Sequence, residues 1–164
     1  MQVLPGKVIM FCGTPRGDPA DCVEWALEAL TKGYDTPLLR ILAGLASPLV
    51  IFEVREYAEK ALRELDISLP KGPAAISAYA RDLVSDILVQ PALMQTRLRE
   101  LCDLCIAEDY QNDIYDFYLL RWAYDDLKNE PVQWYWDGAD RSNIDQIILQ
   151  KCCSWLTEYD AKIA

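Results

Sequence analysis

The stretch DPADCVEWALEALTKG, residues 18–33, decides the fold class. Asp18 before Pro19 is a helix start: the carboxylate can accept from otherwise orphaned amides, and proline's fixed φ suits the first helical position. Val23, Ala26, Leu27 and Leu30 then fall at i, i+3, i+4 and i+7, one face of a helix, and Gly33 closes the segment. The signal repeats at once. Thr36-Pro37 gives the same start, and Leu38, Ile41, Leu42 and Leu45 give the same stripe, ended by Ser47-Pro48.

Working outward, a third helix is expected over residues 52–65, with Val54, Tyr57, Ala58, Ala61, Leu62 and Leu65 inside. Pro70-Lys71-Gly72-Pro73 breaks the chain, and a helix runs from there to Gln90. Pro91 either kinks that helix or, the better reading, opens the next, which reaches Asp109 with Met94, Leu98, Leu101, Cys102 and Cys105 inward. Another spans Asn112 to Lys128, with Phe117, Leu120, Ala123, Tyr124 and Leu127 on its apolar side. Residues 130–141 form the one long loop, and the last helix starts at Ser142 with Asp145 completing an S-x-x-D cap. Its inward set is Ile144, Ile147, Ile148, Cys152, Trp155 and Leu156.

The pattern predicts an all-α fold, about seven antiparallel helices in one irregular bundle. Residues 18–164 read as a single helical domain and residues 1–17 as an N-terminal arm. Val8 to Phe11 could make a strand, but a lone strand has no partner, so an apolar arm against the helices is the better expectation. Glu24-Trp25-Ala26-x-x-Ala29-Leu30 matches Glu56-Tyr57-Ala58-x-x-Ala61-Leu62 at an offset of 32. No fixed period continues, which leaves HEAT-like stacking of irregular helix pairs open rather than a strict solenoid.

The run Glu24-Trp25-Ala26-x-x-Ala29-Leu30-x-x-Gly33-Tyr34-Asp35-Thr36-Pro37-x-Leu39-Arg40-Ile41-Leu42-Ala43-Gly44-Leu45 resembles the N-terminal part of a group of small, uncharacterised, all-helical bacterial proteins, over residues 20–67. The resemblance implies a bacterial cytosolic helical domain. It carries over no activity and no catalytic residues.

Composition then narrows the chemistry. The 164 residues hold 26 acids, 16 bases and no histidine, for a formal charge of −10 and a pI near 4.4. Without histidine there is no Ser-His-Asp or Cys-His nucleophile, no HExxH zinc site and no imidazole proton shuttle. The acidity argues against nucleic acid, whose phosphates need clustered Lys and Arg. The apolar run Val8-Ile9-Met10-Phe11-Cys12 is too short for a secretory h-region, and no stretch approaches the ~20 apolar residues of a membrane span. A cytoplasmic protein with no membrane contact is expected.

The thiols Cys12, Cys22, Cys102, Cys105, Cys152 and Cys153 are then expected reduced and buried as small hydrophobes. Cys102 and Cys105 spell CxxC, but within a helical pattern rather than at a strand-to-helix turn, and no second pair completes a zinc knuckle. Gly13-Thr14-Pro15-Arg16-Gly17-Asp18 lacks the spacing and lysine of a phosphate loop, and its prolines remove amide donors. No cofactor is expected.

Two constellations remain. Glu100 with Asp103 and Asp113 with Asp116 lie at i,i+3 on consecutive helices, the kind of pairing by which all-helical nucleotide pyrophosphohydrolases hold Mg²⁺. The pairs are ExxD and DxxD rather than ExxE with ExxD, and no lysine-flanked acidic cluster follows, so a solvated face is the better explanation of them. The second constellation is regional. Residues 108–145 carry ten acids and three bases, a net −7, together with nine of the seventeen aromatics. Acids that steer and rings that bury area are a composition for gripping a basic surface; the plain alternative is an aromatic core inside an acidic shell.

The expected function is therefore a non-enzymatic acidic binding protein that docks a basic protein partner. Size, acidity and lack of catalytic groups are those of a bacterial immunity protein against a cationic toxin. The competing readings are a Mg-dependent nucleotide-processing enzyme using Glu100, Asp103, Asp113 and Asp116, and a structural subunit of a helical assembly. The expected contact residues are Asp125, Asp126, Trp134, Tyr135, Trp136, Asp137 and Asp140, with no catalytic residue among them. If the loop is extended, Trp134 and Trp136 share a face and anchor it, while Tyr135 points away.

Overall fold

The computed structural model describes residues 3–110 and 112–164, and every regular element among them is helical. Eight α-helices follow in order: α1 (Gly6–Gly13), α2 (Pro19–Thr31), α3 (Pro37–Ala43), α4 (Ile51–Glu64), α5 (Pro73–Val89), α6 (Met94–Ala107), α7 (Tyr115–Asn129) and α8 (Ile144–Ile163). Single 3₁₀ turns at Pro91–Leu93 and Asn112–Ile114 lead into α6 and α7. No described helix is long and apolar enough to cross a membrane.

The helix beyond the expected seven is α1. Of the anticipated arm, residues 1 and 2 lie outside the described residues, but the Val8–Phe11 run is helical, neither strand nor arm. Val8, Ile9, Met10, Phe11 and Cys12 are all buried, five consecutive positions that span more than a full turn, so the run shows no stripe; Lys7 alone carries charge, pairing with Asp21 at 3.2 Å. It is closed by Thr14 N–H donating to Met10 O at 3.0 Å.

The chain divides into two compact units, Met1–Tyr79 and Ala80–Ala164, with the boundary inside α5. In the first unit α1, α2, α3 and α4 enclose a core of Val8, Phe11, Cys22, Trp25, Leu39, Leu42, Val54 and Leu62 among others. The two proline start signals work as read: Asp18 Oδ1 accepts from Ala20 N at 2.8 Å and Thr36 Oγ1 from Leu39 N at 3.3 Å. The buried stripe of α2 is turned by one residue from the expected one. Cys22, Trp25, Ala26 and Ala29 go inward and Leu27 is half exposed, because burying the one large ring outweighs burying a leucine and the small neighbours admit close helix packing. Gly13 is fixed by space: a Cβ there would sit 2.5 Å from Pro70 O and 2.6 Å from the Ala75 Cβ, while its own carbonyl accepts from Gly72 N at 3.0 Å. Only glycine lets the end of α1 close against the turn that starts α5.

In the second unit the expected inward residues of α6 (Met94, Leu98, Leu101, Cys102 and Cys105) are all buried. From α7 come Phe117, Leu120, Ala123 and Leu127, and from α8 Ile144, Ile148, Cys152 and Trp155. Trp155 meets Phe117 edge-on at 5.9 Å, stacks on Tyr159 at 5.3 Å and donates from Nε1 to Asp113 O at 2.5 Å. Arg97 joins Asp86 of α5 and Glu100 of α6, each at 2.9 Å.

Five of the six thiols are buried; Cys153 is exposed. Burial pushes Cys12 and Cys152 up to about 12, with Glu59 adding to it at Cys12 and Cys153 at Cys152. These thiols stay protonated at neutral pH and act as packing.

Trp25 and Trp155 are 5% and 8% exposed. Trp25→Ala and Trp155→Ala should each lower unfolding stability by about 3–5 kcal/mol. Urea titration checks this, and a loss below about 1 kcal/mol would mean the ring is not the anchor its burial implies.

Candidate functional site

Helix α7 carries more ring than one core can take. Its buried residues Phe117, Leu120, Ala123 and Leu127 lie on one side. At 100° per residue, Tyr115, Tyr118 and Trp122 lie nearly opposite, and Asp126 continues their line at the next turn. This second side is not bare. Tyr115 and Tyr118 stack at 5.6 Å, Tyr110 meets both edge-on at 6.5 and 5.4 Å, and Tyr118 meets Trp122 at 6.5 Å. Tyr135, from the loop after α7, stacks on Trp122 at 6.3 Å. Five rings thus form one ladder. Its ends are the open parts: Tyr110 is 48%, Tyr115 38% and Tyr135 41% exposed.

Gln133 holds the loop in this shape. Its side chain is buried, Nε2 donating to Trp136 O at 2.6 Å and to Ala139 O at 3.1 Å. Oε1 accepts from Tyr135 N and Trp136 N, both at 2.8 Å. One amide therefore folds the backbone around itself, and the segment is bent rather than extended. The expected anchoring by Trp134 and Trp136 is overturned by that bend. Trp134 is 89% exposed, Trp136 is half-buried, and Tyr135 turns onto Trp122. A polar side chain between Val132 and Trp134 gave no periodic signal of this role.

The carboxylates divide by what they touch. Asp125 pairs with Arg121 at 3.2 Å. Asp140 organises the entry to α8, accepting from Ser142 N at 2.7 Å, Ser142 Oγ at 2.5 Å and Asn143 N at 3.2 Å. The Ser142 side-chain bond first, then the backbone bonds, hold its carboxyl below the usual carboxylate range. The helix begins at Ile144, two residues later than expected, because Asp140 takes the amides that a Ser142 cap would have left to Asp145. Asp126 and Asp137 have no ion pair among the described residues; Asp137 is exposed and Asp126 half-buried.

The three bases of this region are engaged within the unit. Arg121 lies 3.7 Å over the Trp122 ring while pairing with Asp125. Lys128 donates to Gln95 Oε1 at 2.7 Å and sits 4.6 Å over Tyr124. Arg141 Nε donates to Leu127 O at 2.7 Å, satisfying a carbonyl in the last turn of α7.

The alternative carboxylate set is not drawn together. Glu100 chelates Arg97 at 2.9 and 3.1 Å, Asp116 pairs with Lys151 at 2.5 Å, and Asp103 and Asp113 are exposed. Among the described residues no group of three or more His, Cys, Asp or Glu could hold a metal ion. Comparison with protein-family models, with curated proteins and with solved structures finds no match to the chain.

Gln133→Ala removes both halves of the buried amide and should cost about 2–3 kcal/mol. Amide exchange at Tyr135 and Trp136 should then speed up while the α6 and α7 core amides stay protected; unchanged exchange in the loop would count against Gln133 as its organiser. A pH effect follows from Asp140. Its carboxyl titrates lower folded than unfolded, so its contribution is present above the ordinary carboxylate range and is lost as pH falls through the lowered value. Acidification should loosen residues 138–143 in the wild type and have no such effect in Asp140→Asn, as read by the amide shifts of Ser142 and Asn143.

Proposed function

We propose that the chain is a non-enzymatic acidic protein that docks a basic protein partner through residues 108–141, the physical type of a bacterial immunity protein facing a cationic toxin. The observation that carries this reading is Trp134: a tryptophan left 89% exposed in a segment of net negative charge, beside a half-open ring ladder. Leaving that much ring in water forgoes burial worth about 2–3 kcal/mol, a cost that a partner covering it returns. Asp126 and Asp137, without internal ion pairs among the described residues, supply the steering charge, while Asp125 and Asp140 act mainly by holding Arg121 and the α8 entry. Trp134 and Tyr135 supply contact area, and Trp136 contributes its half-buried edge.

Charge and ring should separate kinetically. With a basic protein recovered on the wild-type chain, Asp126→Asn/Asp137→Asn should slow association several-fold and flatten its salt dependence. Trp134→Ala should mainly speed dissociation. A partner without a basic surface, or one bound unchanged by both variants with circular dichroism intact, would remove the reading.

A further inference from the structure

Asp137 and Gly138 are the central pair of a tight turn, and Ala139 N donates to Trp136 O at 3.2 Å across them. This is the one place in the chain where an aspartate precedes a glycine. Both residues are exposed, and Gly138 takes φ +77°, a left-handed backbone that glycine adopts without steric penalty. Apart from its chain neighbours, no heavy atom lies within 4 Å of where a Gly138 Cβ would be. Among the described residues the Gly138 N–H donates to nothing, and the Asp137 carboxylate has neither ion pair nor hydrogen bond.

A free amide beside a free carboxyl, with no side chain to keep them apart, is the arrangement in which the main chain can attack its own side chain. The other aspartates are held back. In helices, as at Asp103 and Asp125, the following amide is fixed in the hydrogen-bond ladder. Asp18 precedes a proline, which has no N–H, and the Asp140 carboxylate is occupied by Ser142 and Asn143.

We propose that Asp137-Gly138 is a site of spontaneous modification, at which the main chain passes through a cyclic imide to a β-linked isoaspartate and the bracket around Gln133 opens. The Gly138 nitrogen attacks Asp137 Cγ in its carboxylic acid form. The N–Cγ bond forms, the Cγ–OH bond breaks, and the hydroxyl leaves with the amide proton as water. Water then cleaves one of the two ring bonds to that nitrogen. Breaking N–Cγ restores aspartate. Breaking the bond to the Asp137 main-chain carbonyl carbon leaves the chain running through the side-chain carbonyl, with the former main-chain carbon as the free carboxylate. Mass is unchanged, water is the only co-reactant, and the main chain is one methylene longer. That methylene enters between Trp136 O and Ala139 O, the two carbonyls that Gln133 Nε2 bridges at 2.6 and 3.1 Å, so one amide no longer spans both. The modification acts on the loop whether or not a partner binds there.

The test ages the full chain at physiological temperature and neutral pH and then maps its peptides. Isoaspartate separates from aspartate at equal mass, and electron-transfer fragmentation assigns its position. It should accumulate at 137 severalfold faster than at any other aspartate. Gln133→Ala, which frees the turn, should speed it severalfold further. Asp137→Glu keeps the charge but would need a six-membered imide, and should abolish it. In the aged fraction, amide exchange at Tyr135 and Trp136 should rise toward that of Gln133→Ala while the α7 core amides stay protected. Isoaspartate at 137 only after unfolding in urea, or no faster there than at other aspartates, would overturn the site. Isoaspartate formed with loop exchange unchanged would overturn the opening of the bracket.

Discussion

A helix has two sides, and α7 is loaded with rings on both. Its core side can take only what α6 and α8 leave room for, and that room is filled by Phe117, Leu120, Ala123 and Leu127 with Trp155 edge-on to Phe117. Tyr115, Tyr118 and Trp122 must therefore find cover elsewhere. They find half of it in each other, in Tyr110 before the helix and in Tyr135 after it. The 3₁₀ entry to α7, the bent loop that follows it and the disposition of Arg121 all answer to this surplus of aromatic surface.

Polar chemistry does the finishing. Gln133 meets four backbone atoms with one amide, Arg141 takes a carbonyl at the end of α7, and Asp140 gathers the entry to α8. Each of these groups carries charge or polarity inward to the loop, not outward to solvent. The acidic count of the region therefore overstates its available field. Asp125 and Asp140 are partly answered within the fold, and Asp126 with Asp137 remain to act on what approaches.

Helix existence was readable from caps and breakers, because those signals are local. Asp18, Thr36 and the 70–73 breaker each act on amides or φ angles within a few residues. What failed was whatever depends on distant partners. The stripe of α2 turned by one residue because Trp25 outranked Leu27, a choice made by the space that α3 and α4 enclose. Helix α1 was missed because its five consecutive buried residues, Val8 to Cys12, leave no alternation of polar and apolar positions to reveal a period. In the loop, alternation was the wrong geometry: it assumed an extended strand where the Gln133 amide imposes a bend, and so it sent Trp134 inward, whereas Trp134 is exposed and Tyr135, itself 41% exposed, turns its ring onto Trp122. The concentration of acids and rings between 108 and 145 was plain in the sequence, but the ladder was not, since its five members come from three separate segments.

Acids alone would make a poor recognition surface. At physiological ionic strength the field of Asp126 and Asp137 fades within about 8 Å, so it speeds encounter with any cation and holds none in particular. Rings alone would bind apolar surface and invite self-association. The two act differently when combined on a preformed ladder. On the proposed docking, charge would set how often a basic partner arrives, and the ring faces, 5.4 to 6.5 Å from centroid to centroid, would set how long it stays. A flexible aromatic loop could offer the same area, but it would lose rotamer freedom at every ring on binding. The rings of α7 are stacked within the fold, so on the proposed docking that cost would be met during folding and not at the encounter.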